Sequence, residues 1–159
     1  MSLSPQADTF VERMGVTFES LGATRTAGRL IGLLLLADRP LGLGELADRL
    51  RVSKASISTN ARLVEQIGMV TRVGLPGDRR DYYEIRPNSF ENMVARRMAR
   101  IGNFIELTDE GLRTIEPGNV AARRRLEAMR AFYTFFLDEL DATLARWRER
   151  HRPSPGTNP

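Results

Sequence analysis

The chain has 159 residues, 42% of them hydrophobic, a formal net charge of +4 at pH 7, no cysteine and one histidine, His151. That length suits one core with an added helical part, and the absence of thiols rules out a disulfide framework, a thiolate metal site and a cysteine nucleophile. No charged-then-apolar leader is seen at the start, and the apolar run at 30–37 is far shorter than the ~20 residues of a membrane span, so a cytoplasmic protein without a cofactor is expected.

Phe10, Val11, Met14, Phe18 and Leu21 recur at helical spacing before Gly22, which predicts an amphipathic helix within 1–25. Residues 26–37 are apolar nearly all round, the pattern of a buried helix. Beyond Pro40, Leu43, Leu46, Ala47 and Leu50 give a short helix with one buried face. Ser53 then suits an N-cap and Gly68 a C-terminal stop, so a second helix is predicted over 54–67. Ile57, Ala61 and Val64 fall on its inner side, and Ala55, Thr59, Arg62 and Gln66 on the opposite one. Residues 69–73 and 81–86 alternate as strands around the turn residues of 74–80.

Helix, tight turn, helix and charged hairpin form the order of a winged helix-turn-helix, a unit that most often reads duplex DNA. Small hydroxyl residues at the start of 54–67 let the backbone approach the bases, while Lys54 and Arg62 reach a guanine edge or a phosphate. The tip, Asp78-Arg79-Arg80, suits a minor groove, its carboxylate orienting one guanidinium. A solvated helix face and a solvated charged turn are the plainer alternatives. The charge distribution favours DNA: 1–50 carries five basic and six acidic residues, 51–86 seven and four, 87–159 twelve and ten. Positive charge thus concentrates where phosphates would lie.

Downstream, 88–91 has the form of a capping box, opening a helix through Met93, Val94, Met98, Ile101 and Ile105. Whether 108–116 continues it is left open by Thr108 and Gly111. After Pro117-Gly118-Asn119, Leu126, Met129, Tyr133, Phe136, Leu137, Leu140, Leu144 and Trp147 form a stripe reaching 150, and 151–159 reads as a disordered tail.

Val52-Ser53-Lys54-Ala55-Ser56-Ile57-Ser58, Glu65-Gln66-Ile67-Gly68-Met69-Val70 and Pro76-Gly77-Asp78-Arg79-Arg80-Asp81-Tyr82-Tyr83 resemble the MarR superfamily, specifically its GbsR-type branch. Gly28-Arg29-Leu30-Ile31-Gly32-Leu33-Leu34 resembles that branch's preceding helix. The resemblance implies a homodimeric transcriptional regulator, usually a repressor, that binds double-stranded DNA. Contacts would come from Ser53, Lys54, Ser56, Ser58, Thr59 and Arg62 on the helix and from Asp78, Arg79 and Arg80 on the wing. Against that pattern, Ala61 is small and Asn60 unusual.

The expected fold is mainly α with a small β-hairpin wing, a winged helix-turn-helix plus a helical dimerisation frame. Its parts are 1–25 (frame helix), 26–86 (DNA-binding unit), 87–150 (C-terminal dimerisation helices) and 151–159 (tail). Dimerisation residues would be Phe10, Met14, Phe18, Tyr133, Phe136, Leu137, Leu140, Leu144 and Trp147. The aromatic cluster of Phe132, Tyr133, Phe135, Phe136 and Trp147 also suits a cation cage, and the resemblance points to a small-molecule effector of the quaternary ammonium class. A winged-helix module for protein–protein docking is the alternative. An enzyme is not expected, since Leu41-Gly42-Leu43-Gly44 lacks the lysine and spacing of a phosphate loop.

Overall fold

A computed structural model describes residues 4–151, so the tail expected to be disordered lies, from residue 152 on, outside the described residues. In chain order the elements are α1 (Pro5–Ser20), α2 (Arg25–Leu35), β1 (Leu41–Gly42), α3 (Leu43–Leu50), α4 (Lys54–Gln66), β2 (Val70–Val73), β3 (Tyr82–Ile85), α5 (Ser89–Thr114) and α6 (Val120–Arg150). The expected hairpin is part of a three-stranded antiparallel sheet in the order β1-β3-β2. In it Leu41 pairs with Tyr83 and Gly42 with Tyr82. A strand of two residues shows no alternation, so β1 was not legible from pattern. The chain divides between Met93 and Val94 into two compact units.

In the first unit the core is built from Leu30, Ile31, Leu33, Leu41, Leu46, Leu50, Ile57, Val64 and Val70, all essentially without solvent contact. Burial of such a side chain contributes about 1.5–3 kcal/mol before entropy is counted. α2 lies centrally and touches α1, α3, α4 and β3. Its contact with α1 is as close as glycine permits. A Cβ on Gly28 would lie 2.5 Å from the Met14 carbonyl oxygen, and one on Gly15 2.6 Å from Arg29 Cγ. Glu12 on α1 pairs with Arg25 at 3.0 Å and Arg29 at 2.7 Å. Arg29 also donates from Nη2 to the Leu50 carbonyl at 2.8 Å, tying the helix pair to the end of α3. α1, expected in a separate frame, thus packs in the same unit as the winged helix-turn-helix, and Met14 and Phe18 rest against this core.

In the second unit α5 and α6 run antiparallel, because Phe104 stacks on Tyr133 (5.7 Å between centroids) while Asp109 accepts from Arg130 Nε at 2.6 Å. α5 continues unbroken through Thr108 and Gly111 to Thr114, so of the segment 108–116 left open, all but the last two residues belong to this helix. The buried Thr108 hydroxyl donates to the Phe104 carbonyl at 2.6 Å, so it stays within the helix. Asn119 caps α6 by accepting from the Ala122 N–H at 3.1 Å.

Candidate nucleic-acid interface

The reading helix, α4, is aimed by the turn before it. Arg51 takes the left-handed conformation (φ 54°) and caps α3, and the Val52 N–H returns to the Ala47 carbonyl at 3.1 Å. Ser53 Oγ accepts from the Ser56 N–H at 3.1 Å, which places the first turn of α4. Ile57, Ala61 and Val64 are buried, whereas Ala55, Thr59, Arg62 and Gln66 are exposed, the division that the periodicity predicted. Arg62 lies along the helix, donating from Nη2 to Ser58 Oγ at 3.0 Å. Lys54 stands exposed at the N-terminal end, without an ion-pair partner among the described residues.

Asn60 is the buried polar residue of this helix. Its Nδ2 donates to the Ser56 carbonyl at 2.8 Å, and its Oδ1 accepts from the Thr24 hydroxyl. Thr24 is itself the N-cap of α2, accepting from the Ala27 N–H at 3.1 Å. A relay of side-chain bonds therefore joins the start of α2 to the middle of α4. The unusual residue of the sequence is a tether that joins the reading helix to the start of α2, and Ala61 beside it is fully buried in the core.

The wing is a hairpin of β2 and β3 in the register Val70–Ile85 to Val73–Tyr82. Gly77 turns its tip with φ 78°, and the Asp78 N–H donates to the Leu75 carbonyl at 3.1 Å. Asp78 Oδ1 accepts from the Arg80 backbone N–H at 2.9 Å, and its two oxygens take the Arg80 Nε at 3.0 Å and, on Oδ2, the Nη2 at 2.6 Å. The Tyr82 hydroxyl donates to Asp78 Oδ2 at 2.8 Å and accepts from Arg80 Nη2 at 2.9 Å. These bonds, those from Arg80 first, hold the Asp78 carboxyl far below the usual carboxylate range. Donation to that carboxylate, then burial, raises the Tyr82 phenol. Arg80 remains 77% exposed along its side chain despite the pairing. Arg79 is exposed too, without an ion pair among the described residues. A hollow of about 470 Å³ brings Lys54 of the reading helix together with Arg80 and Tyr82 of the wing and with Arg39, which Glu45 holds at 2.8 Å.

Comparison with known proteins gives this geometry a family. Residues 88–150 match the model of the MmpR5-like MarR family transcriptional regulators. Over 151 residues the chain is 38% identical to the HTH-type transcriptional regulator MmpR5 of Mycobacterium tuberculosis, covering 94% of this chain and 92% of that one. The chain belongs to the MarR family. A crystal structure of a transcriptional regulator, 38% identical, superposes with a TM-score of 0.84 over 91% of this chain and 99% of its own. A more distant relative, the HTH-type transcriptional repressor OpcR of Bacillus subtilis, is 22% identical over 54% of this chain and 46% of its own. The matched relatives are transcriptional regulators, in keeping with the expectation of a non-enzyme.

In this MarR-family chain the expected contact residues form two groups within the first unit. Ser53, Lys54, Ser56, Ser58, Thr59 and Arg62 share α4, and Asp78, Arg79 and Arg80 share the wing tip. Ser53 Oγ accepts in the cap, which leaves its O–H to donate, whereas the Asp78 carboxylate is an acceptor already taken up by Arg80 and Tyr82. The expected dimerisation residues separate: Phe10, Met14 and Phe18 lie on α1 of the first unit, while Tyr133, Phe136, Leu137, Leu140, Leu144 and Trp147 lie on α6. The five-residue cation cage does not assemble. Trp147 stacks instead on His151 at 3.6 Å, and it sits eleven residues along α6 from Phe136, or about 16 Å at helical rise. Phe132, Tyr133 and Phe136 line a groove of about 430 Å³ together with Arg97 and Arg100, whose charges disfavour a cation there. Thr24, Asn60 and Tyr82 were missed as site residues, since each acts through a partner that helical or strand periodicity does not reveal.

Proposed function

We propose that this chain is a homodimeric repressor of transcription that reads the major groove of duplex DNA with 54–67 and the minor groove with the 74–81 wing, and that a small-molecule effector releases it. The observation that carries the reading is the arrangement of Lys54, Thr59 and Arg62 on the exposed face of a capped helix, beside a wing whose Arg80 is held in place while still exposed. A helix so presented suits a major groove, and an oriented arginine suits the narrow, negative minor groove. Two reading helices about one DNA turn apart, ~34 Å, require a dimer. The exposed aromatic residues of α6 support one. Placement in the GbsR-type branch rests on the winged-unit motifs alone and belongs to the same proposal. The effector has no assigned pocket, and Arg97 and Arg100 argue against a quaternary ammonium in the α5–α6 groove.

Fluorescence anisotropy with duplex from upstream of the protein's own gene, against a scrambled duplex, tests the reading at several salt concentrations. The upstream duplex should bind more tightly and saturate at two chains per site. Arg62→Ala should reduce the discrimination by about 5-fold to 100-fold, the worth of one base contact. Arg79→Ala and Arg80→Ala should each lower the salt slope by about 1. Equal, weak binding to both duplexes and no effect of these changes would overturn the proposal in favour of a winged-helix protein-docking module.

A further inference from the structure

We infer that Tyr82 is a positioning residue of the wing, its hydroxyl closing a three-cornered network with Asp78 and Arg80 that fixes the Arg80 guanidinium before any duplex arrives. The inference rests on the DNA-reading proposal for its consequence, though not for its geometry. Tyr82 lies in the central strand of the sheet, paired to Gly42 on one side and Val73 on the other, so its backbone is held from both edges. Its ring packs where a Cβ on Gly42 would stand 3.4 Å away, and the residue is only 9% exposed.

A phenylalanine would serve that packing as well. What the hydroxyl adds is at the rim, where its named partners are Asp78 at 2.8 Å and Arg80 at 2.9 Å. Asp78 alone can hold Arg80 through Nε and Nη2, but both residues belong to a tip that turns through Gly77 and carries no ladder pairing of its own. Tyr82 is the corner that belongs to the sheet. Through it the loop's ion pair is referred to a fixed frame, and the guanidinium also lies 5.7 Å from the centroid of the Tyr82 ring. A long arginine chain otherwise loses considerable rotamer freedom when it enters a groove, and restraint beforehand reduces that loss.

The test uses the full chain and three variants: Tyr82→Phe, Arg80→Ala and the double variant. In the free protein, the Arg80 Nε–H should be observable by ¹⁵N NMR and protected from exchange, and Tyr82→Phe should speed that exchange by about threefold to tenfold, the worth of one hydrogen bond. Affinity for the upstream duplex should fall by a similar factor in Tyr82→Phe with the salt slope unchanged, because no charge is lost. In the Arg80→Ala background the same change should have no further effect. Equal losses in both backgrounds would show that Tyr82 acts only through general sheet stability and would overturn the inference, as would unchanged Arg80 exchange. If the wild-type chain binds no duplex, the DNA-reading proposal fails, and the exchange rates alone still decide the role of Tyr82.

Discussion

Asp78 accepts from the side chain and backbone of Arg80 and from the Tyr82 hydroxyl, so its charged form is favoured and its carboxyl titrates well below the ordinary 3.8. A group whose folded-state pKa is depressed stabilises the fold above its unfolded value, and that contribution is lost progressively as pH falls from the unfolded value through the folded one, the native carboxyl itself staying ionised until the folded value. The wing network should therefore persist as pH drops from neutral to 3.8, and the Arg80 Nε–H chemical shift should stay constant over that range and move only below it. The same bond acts on Tyr82 with opposite sign, holding the phenol above 10.0. Asp78→Asn should bring one tyrosine back toward that value in an ultraviolet titration. Asn60 makes a different case, because it is buried and both ends of its amide are used. Asn60→Ala would remove both bonds, and at about 0.5–1.5 kcal/mol net for each should cost about 1–3 kcal/mol in urea unfolding.

Among the elements, the α1–α2 pair depends most on side chains that are absent. Ordinarily a helical Gly→Ala change gains about 0.5–1 kcal/mol from lower backbone entropy. At Gly102 in α5 an added Cβ meets nothing within 4 Å, so Gly102→Ala should raise the melting temperature. At Gly28 the added Cβ would press on the Met14 carbonyl at 2.5 Å and on Phe18 Cβ at 2.7 Å, both on the neighbouring helix. Gly28→Ala should therefore destabilise by about 1–3 kcal/mol, the cost of overpacking, and lower the melting temperature. Opposite signs for one chemical change are readable by thermal unfolding. The contrast also shows which information the sequence carries. The cap of α4, the face of α4 and the break at 117–119 involve residues a few positions apart, and the pattern reveals them. The Thr24–Asn60 bond spans 36 positions, and the Gly28 contact depends on where α1 folds back, so neither leaves a local signature. The Tyr82 hydroxyl reaches back only four positions, but strand alternation reports which face a residue takes and not what its far end touches.

For the whole molecule, the two units differ in what they bury. The winged unit encloses a core of leucine, isoleucine and valine, whereas in the helical unit Phe104, Leu107, Phe132, Phe135, Phe136 and Trp147 are exposed. Two antiparallel helices have one mutual contact face, and apolar residues around the rest need a further layer. Exposed large apolar residues at this density suit an interface, and a stable one covers about 800 Å² per partner. A second copy of the chain supplies that layer in the proposed dimer, so stability becomes linked to protein concentration by mass action. The melting temperature of the wild-type chain should rise on dilution's reversal, that is, with increasing concentration. Phe136→Asp sets a charge in that surface at the cost of the Phe132–Phe136 stack (6.3 Å between centroids), and it touches nothing in the core of the winged unit. It should shift sedimentation equilibrium toward the monomer, remove the concentration dependence of melting, and weaken binding to a two-half-site duplex much more than to a single half-site. If Phe136→Asp remains dimeric with unchanged duplex binding, the subunits meet through another surface, and the exposed face of α1 around Phe10, 39% exposed, is the next to substitute.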